Sequence, residues 1–97
     1  MRYEIILAPE AADDLRHLQA HFRTEVRDAL DRHLRHGPTK ISKSRIKRLR
    51  GLSRPQYRLR VGEFRVFYDV SGSSVEVLAI VAKSQAEAWL RKAGECK

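Results

Sequence analysis

Tyr57-Arg-Leu-Arg-Val-Gly-Glu-Phe-Arg-Val-Phe-Tyr-Asp-Val70 places apolar and basic residues in alternation on either side of Gly62-Glu63. A period of two is what a half-buried strand needs, and a two-residue connection that opens on glycine suits a type II′ hairpin. In that register Val61 faces Phe64, Leu59 faces Val66 and Tyr57 faces Tyr68 on one side of the sheet. The other side sets Arg60 against Arg65. Like charges directly opposite destabilise a sheet by on the order of a few tenths of a kcal/mol. An anion lying across the pair would offset that cost, which marks the arginine side as a binding face.

The basic character continues upstream. No acidic residue lies between Asp31 and Glu63, whereas Lys40, Lys43, Arg45, Lys47, Arg48, Arg50, Arg54, Arg58 and Arg60 all fall in that interval. A surface selected only for solubility mixes charge signs. The formal charge of +8 and pI near 10.3 therefore point to a polyanionic or acidic partner, with the excess in the second half of the chain. A membrane surface is excluded as that partner, because the charge lies in a loop and strands and flanks no broad apolar helix face.

Ninety-seven residues support one core, so a single domain over 1–97 is expected, and the apolar fraction of 42% is adequate for folding. The longest apolar run, Val77-Leu-Ala-Ile-Val-Ala82, is far short of the roughly 20 residues of a spanning helix. With no signal-like segment and with Cys96 as the lone cysteine, the expected compartment is the reducing cytoplasm.

Outward from the hairpin, Arg2-Tyr-Glu-Ile-Ile-Leu7 reads as a strand. Pro9 opens a helix, where its missing N–H costs nothing, with Ala11, Leu15 and Leu18 on one stripe. A second helix from about Phe22 carries Val26, Leu30 and Leu34, and His36-Gly37-Pro38 ends it, with glycine as a left-handed cap. Thr39–Pro55 reads as a basic loop tacked to the core by Ile41, Ile46, Leu49 and Leu52. Val75-Glu-Val-Leu-Ala-Ile-Val81 reads as a buried central strand, and Ser84-Gln-Ala-Glu87 has capping-box spacing for a last helix with Trp89 and Leu90. The sum is an α+β domain in the order β-α-α-β-β-β-α. It has a small, mainly antiparallel sheet of about four strands, backed by an N-terminal helical hairpin.

Four features together resemble the RelE/ParE superfamily of bacterial type II toxins: the opening strand into Pro9-Glu-Ala-Ala-Asp-Asp-Leu15, the segment Arg48-Leu-Arg-Gly-Leu52, the central hairpin, and Val77-Leu-Ala-Ile-Val-Ala-Lys83 running on to Trp89. The resemblance spans nearly the whole chain and implies a cytoplasmic toxin neutralised by an acidic, RelB-like antitoxin. Operator DNA would be contacted only through the antitoxin complex. For the RelE branch it implies cleavage of messenger RNA on the ribosome, by 2′-hydroxyl attack on the neighbouring phosphate, with neither metal nor cofactor. Arg60 matches the arginine that stabilises the transition state, Arg48 stands at a lysine that supports the attacking side, and Lys83 adjoins the position of the general acid. Lys43, Arg45, Lys47, Arg50, Arg65 and Trp89 would hold RNA. Ser84 and Ile46 depart from the family pattern, standing at the acid and at a second lysine. The alternatives are a ParE-like inhibitor of DNA gyrase without nuclease activity, and a non-toxic nucleic-acid-binding module. His17 and His21, or His33 and His36, have helical metal-pair spacing, but no cysteine or carboxylate cluster completes such a site.

Overall fold

In the computed structural model, which describes residues 2–96, Gly62 has φ +55° while no other residue type adopts positive φ, as a type II′ turn requires. The hairpin pairs Tyr57 with Tyr68, Leu59 with Val66, Arg60 with Arg65 and Val61 with Phe64, the register read from the sequence. Around it the chain runs β1 (Glu4–Leu7), α1 (Pro9–Arg16) and α2 (Ala20–Ala29), which continues into a π-helical turn (Leu30–Leu34). Then come β2 (Ile46–Arg48), β3 (Leu52–Arg54), β4 (Tyr57–Val61), β5 (Phe64–Ser71), β6 (Ser74–Ala82), α3 (Lys83–Ala93) and β7 (Glu95–Cys96).

Five strands form the main sheet in the order β1-β6-β5-β4-β2, one more than expected, and β1 lies parallel to β6. The extra strand comes from the basic segment. Ile46 is 4% exposed and pairs with Leu59, which fastens β2 to the sheet edge, whereas Ile41 stays in water. A second, two-stranded sheet joins β3 to β7.

One face of the main sheet carries Leu59, Val61, Val66, Tyr68, Val75, Val77 and Ile80, and packs against Ala11, Leu15, Val26, Leu30 and Leu34 from α1, α2 and the π-helical turn. This is the core. At its rim Phe22 meets Phe64 edge to face, with ring centres 5.2 Å apart. The Tyr68 hydroxyl donates to the Pro38 carbonyl at 2.6 Å, and burial pushes the phenol well above its usual range. Asp14, on α1, accepts the N–H of Ile80 at 2.9 Å. That contact supplies a partner at a point where β1 has already ended.

Two local expectations are corrected. Gly37 is not left-handed; the positive-φ glycines are Gly51, Gly62 and Gly72. The serine cap at Ser84 does not form either. The strand runs directly into the helix, with extended Ala82 at the N-cap position and no side-chain cap, so Ser84 lies inside the first turn of α3.

Candidate nucleic-acid interface

The second face of the sheet is set by the same register. Arg58 and Arg60 alternate with the core residues of β4, Lys47 stands opposite Arg58, and Arg65 and Phe67 lie across on β5. Ala79 and Val81 of β6 continue this face. α3 covers one end, where Trp89 stacks on Phe67 with ring centres 4.8 Å apart and planes 9° from parallel. Beside it lies the basic row of Lys47, Arg58 and Arg60, while Asp69 and Glu76, further along β5 and β6, are paired with Arg54.

Three arginines share this surface without an ion pair among the described residues. Burial, followed by the charges of Arg65 and Arg60, lowers the pKa of Arg58. The Nε atom of Arg58 is buried with no acceptor, and its Nη2 reaches the Ser44 carbonyl at 3.3 Å. An unmet guanidinium donor is costly, more so beside like charges, and a phosphate on this face would offset the charge. In the sequence Arg58 is one member of the basic run. Its position two residues before Arg60 was the available signal, since i and i+2 share a face in any strand.

The predicted site residues divide. Arg60 is exposed on this face, as is Lys47, and Lys83 starts α3 beside the hairpin turn, its N–H donating to the Glu63 carbonyl at 2.7 Å. Arg48 is not brought to them. Antiparallel pairing sets it opposite Tyr57 on the helix-covered face, with its guanidinium 5.2 Å from the ring centre and donating to the Gln56 carbonyl at 2.7 Å. Ile46, at the other family lysine position, is core.

Arg65 lies on the basic face but is only 8% exposed. Its Nη1 donates to the carbonyls of Gly62 at 3.0 Å and Phe64 at 2.9 Å, so it braces the hairpin turn. It pairs with neither Glu63 nor Asp69; Asp69 instead joins Arg54 at 2.9 Å. Trp89 is likewise engaged, since its indole N–H donates to Glu10 Oε2 at 2.7 Å while one ring face rests on Phe67. Lys43 and Arg50 are exposed in the segments flanking β2.

Arg45 lies at the border of the face. Its carbonyl accepts the Arg60 N–H at 2.8 Å, and its guanidinium donates to His33 Nε2 at 2.7 Å. Burial, helped by Arg45 and Arg32, lowers the His33 pKa, which favours the neutral ring that can accept this bond. Together Arg45, His33 and Arg60 line a cleft with Glu25, Asp28 and Arg32 of α2 and the π-helical turn. No group of three or more metal-ligating side chains occurs among the described residues, and no helix is long and apolar enough to cross a membrane.

Comparison with known proteins places this geometry. No curated protein matches the sequence. Among solved structures the fold is shared with the RelB-RelE antitoxin-toxin complex of Methanococcus jannaschii, at TM-score 0.66 and 20% identity over 87% of this chain and 96% of that one. The RelBE2 complex of Mycobacterium tuberculosis gives 0.67 and 20% over 84% and 99%, and the RelE-RelB complex of Pyrococcus horikoshii 0.64 and 23% over 88% and 99%. At such identities the likeness is one of fold. The sequence model described as "ParE toxin of type II toxin-antitoxin system, parDE" matches residues 5–87, from the first strand into α3, and on that match the chain belongs to the ParE toxin family, within the RelE/ParE superfamily of type II toxins.

Proposed function

We propose that this toxin acts on messenger RNA, binding the strand along the second sheet face and cleaving it in the ribosome, and that an acidic antitoxin neutralises it by covering the same charge. One observation carries the reading: Arg58, Arg60 and Arg65 share a face without an acidic partner among the described residues. A folded protein holds such a face open when an anion completes it. Three solved structures that share the fold are complexes of a toxin with its antitoxin, which supports the partner.

In this mechanism the 2′-hydroxyl attacks the adjacent phosphorus and the 5′-oxygen of the next nucleotide departs. Arg60 holds the non-bridging oxygens as charge builds on the pentavalent phosphate. Lys47 and Arg58 hold the neighbouring phosphate, and Lys83 stands near the leaving side. Guanidinium groups stay protonated, so proton transfer falls to the two lysines or to groups bordering the face. Arg48 has no part in it.

A second reading, a gyrase inhibitor without nuclease activity, is favoured by the ParE family match and by the absence of histidine and carboxylate from the arginine row. Primer extension on cellular messages after brief induction separates the two when run beside a gyrase cleavage assay. Codon-periodic cuts that vanish in Arg60→Ala, with the variant folded and still bound by antitoxin, establish RNA cleavage. Intact messages with trapped gyrase–DNA breaks overturn it in favour of the second reading.

A further inference from the structure

The cleft beside Arg60 carries charges of both signs that do not meet. Glu25 and Asp28 are one helical turn apart on α2, and Arg32 follows on the π-helical turn, a local widening of the helix often found at functional positions. Glu25, Asp28 and Arg32 line the cleft from the helix, and Arg45 and Arg60 line it from the sheet edge. None of Glu25, Asp28, Arg32 or Arg60 forms an ion pair among the described residues, although they line one space of about 360 Å³.

The walls are also shaped. Glu25 Oε2 comes within 3.3 Å of where a Cβ on Gly62 would sit, so the glycine that makes the hairpin turn also lets the carboxylate close against it. Two turns along the helix, Arg45 fixes His33 by donating to Nε2, which leaves Nδ1 as the N–H donor of the neutral ring. The ligand that suits this cleft is anionic at one end and a hydrogen-bond donor at the other.

We propose that the cleft is a nucleotide pocket that takes one base of the RNA strand, with guanine preferred, while the arginines hold its phosphate. Guanine offers two adjacent donors on its Watson–Crick edge, N1–H and the N2 amino group. A carboxylate accepts both at once through its two oxygens. Uracil presents carbonyl oxygens that a carboxylate repels. Arg60 lies on both surfaces, so the pocket adjoins the phosphate clamp of the sheet face. This inference rests on the RNA reading above and adds to it a base preference.

The test is titration of the full chain with 5′-GMP, 5′-UMP and inorganic phosphate, followed by amide chemical shifts and calorimetry. GMP should bind about tenfold more tightly than UMP, within the range that a paired base edge discriminates. Glu25→Gln should abolish the preference, because the amide has one acceptor oxygen and its NH2 would face a guanine donor, while Arg32→Ala should weaken both nucleotides alike. Equal binding of GMP and UMP, a preference unchanged in Glu25→Gln, or phosphate as tight as GMP each overturn the pocket. So does a cleft that takes up only a mixed-charge antitoxin peptide. A single-stranded RNA oligomer measured in parallel keeps the two readings apart. If the oligomer binds and Lys47→Ala weakens it, yet no guanine preference is found, only the pocket falls; if no oligomer binds, the RNA reading falls with it.

Discussion

Lys47 and Arg48 are neighbours in the chain and stand on opposite faces of the sheet, so their substitutions should separate function from packing. Arg48→Ala removes a cation over Tyr57 and a donor to the Gln56 carbonyl. It should lower stability by about 1 kcal/mol in urea titration and leave toxicity in place. Lys47→Ala, at an exposed position, should do the reverse. Asp14 supports a different kind of test. Desolvation holds its pKa above its ordinary value of 3.8, only partly countered by the bond from Ile80. The folded state therefore binds more protons than the unfolded chain between that value and the raised one, and stability falls as pH rises through this window. Asp14→Asn keeps an acceptor for Ile80 and cannot ionise. Its unfolding midpoint should change less between pH 4 and pH 7 than that of the parent.

At the scale of elements, the central hairpin was legible because both strands and their turn are local, and period-two patterning fixes which residues share a face. Gly62→Ala tests that element. A side chain at φ +55° is strained, and the new Cβ would press on Glu25, so a loss of about 1–2 kcal/mol is expected in thermal unfolding. β2 was not legible. A three-residue strand with one buried side chain carries no periodic signal, and whether Lys47 or Arg48 joins Arg60 depends on a pairing parity that only the assembled sheet defines. The parallel contact of β1 with β6 is likewise non-local, and composition does not report it. α3 shows a third reason. Ser84 and Glu87 have the spacing of a cap, but the strand feeds the helix without a break, and continuity of the chain overrides the motif. Of the site, Arg60 and its opposition to Arg65 could be read in advance. The burial of Arg65, the engagement of Trp89 and the approach of α2 to the β4 edge could not, because each depends on elements distant in sequence.

For the whole molecule, the +8 charge and the row of Lys47, Arg58 and Arg60 set how binding should respond to salt. If Lys47, Arg58, Arg60 and Lys83 each neutralise one phosphate of single-stranded RNA, a plot of log affinity against log salt should have a slope of about −3. Fluorescence anisotropy across a salt series checks this, and a slope near zero would remove the phosphate contacts from the proposal. The parallel pairing of Glu4–Leu7 with Ser74–Val77 has a consequence for how such a toxin comes into being. During synthesis the first strand has no neighbour until the sixth is made, and Ala11, Leu15 and Val26 lack the surface on which they pack. Topology of this kind folds late and slowly. A ribosome making this chain therefore holds an incomplete poison for most of the time it takes to translate it, and an antitoxin already present meets the toxin as the sheet closes.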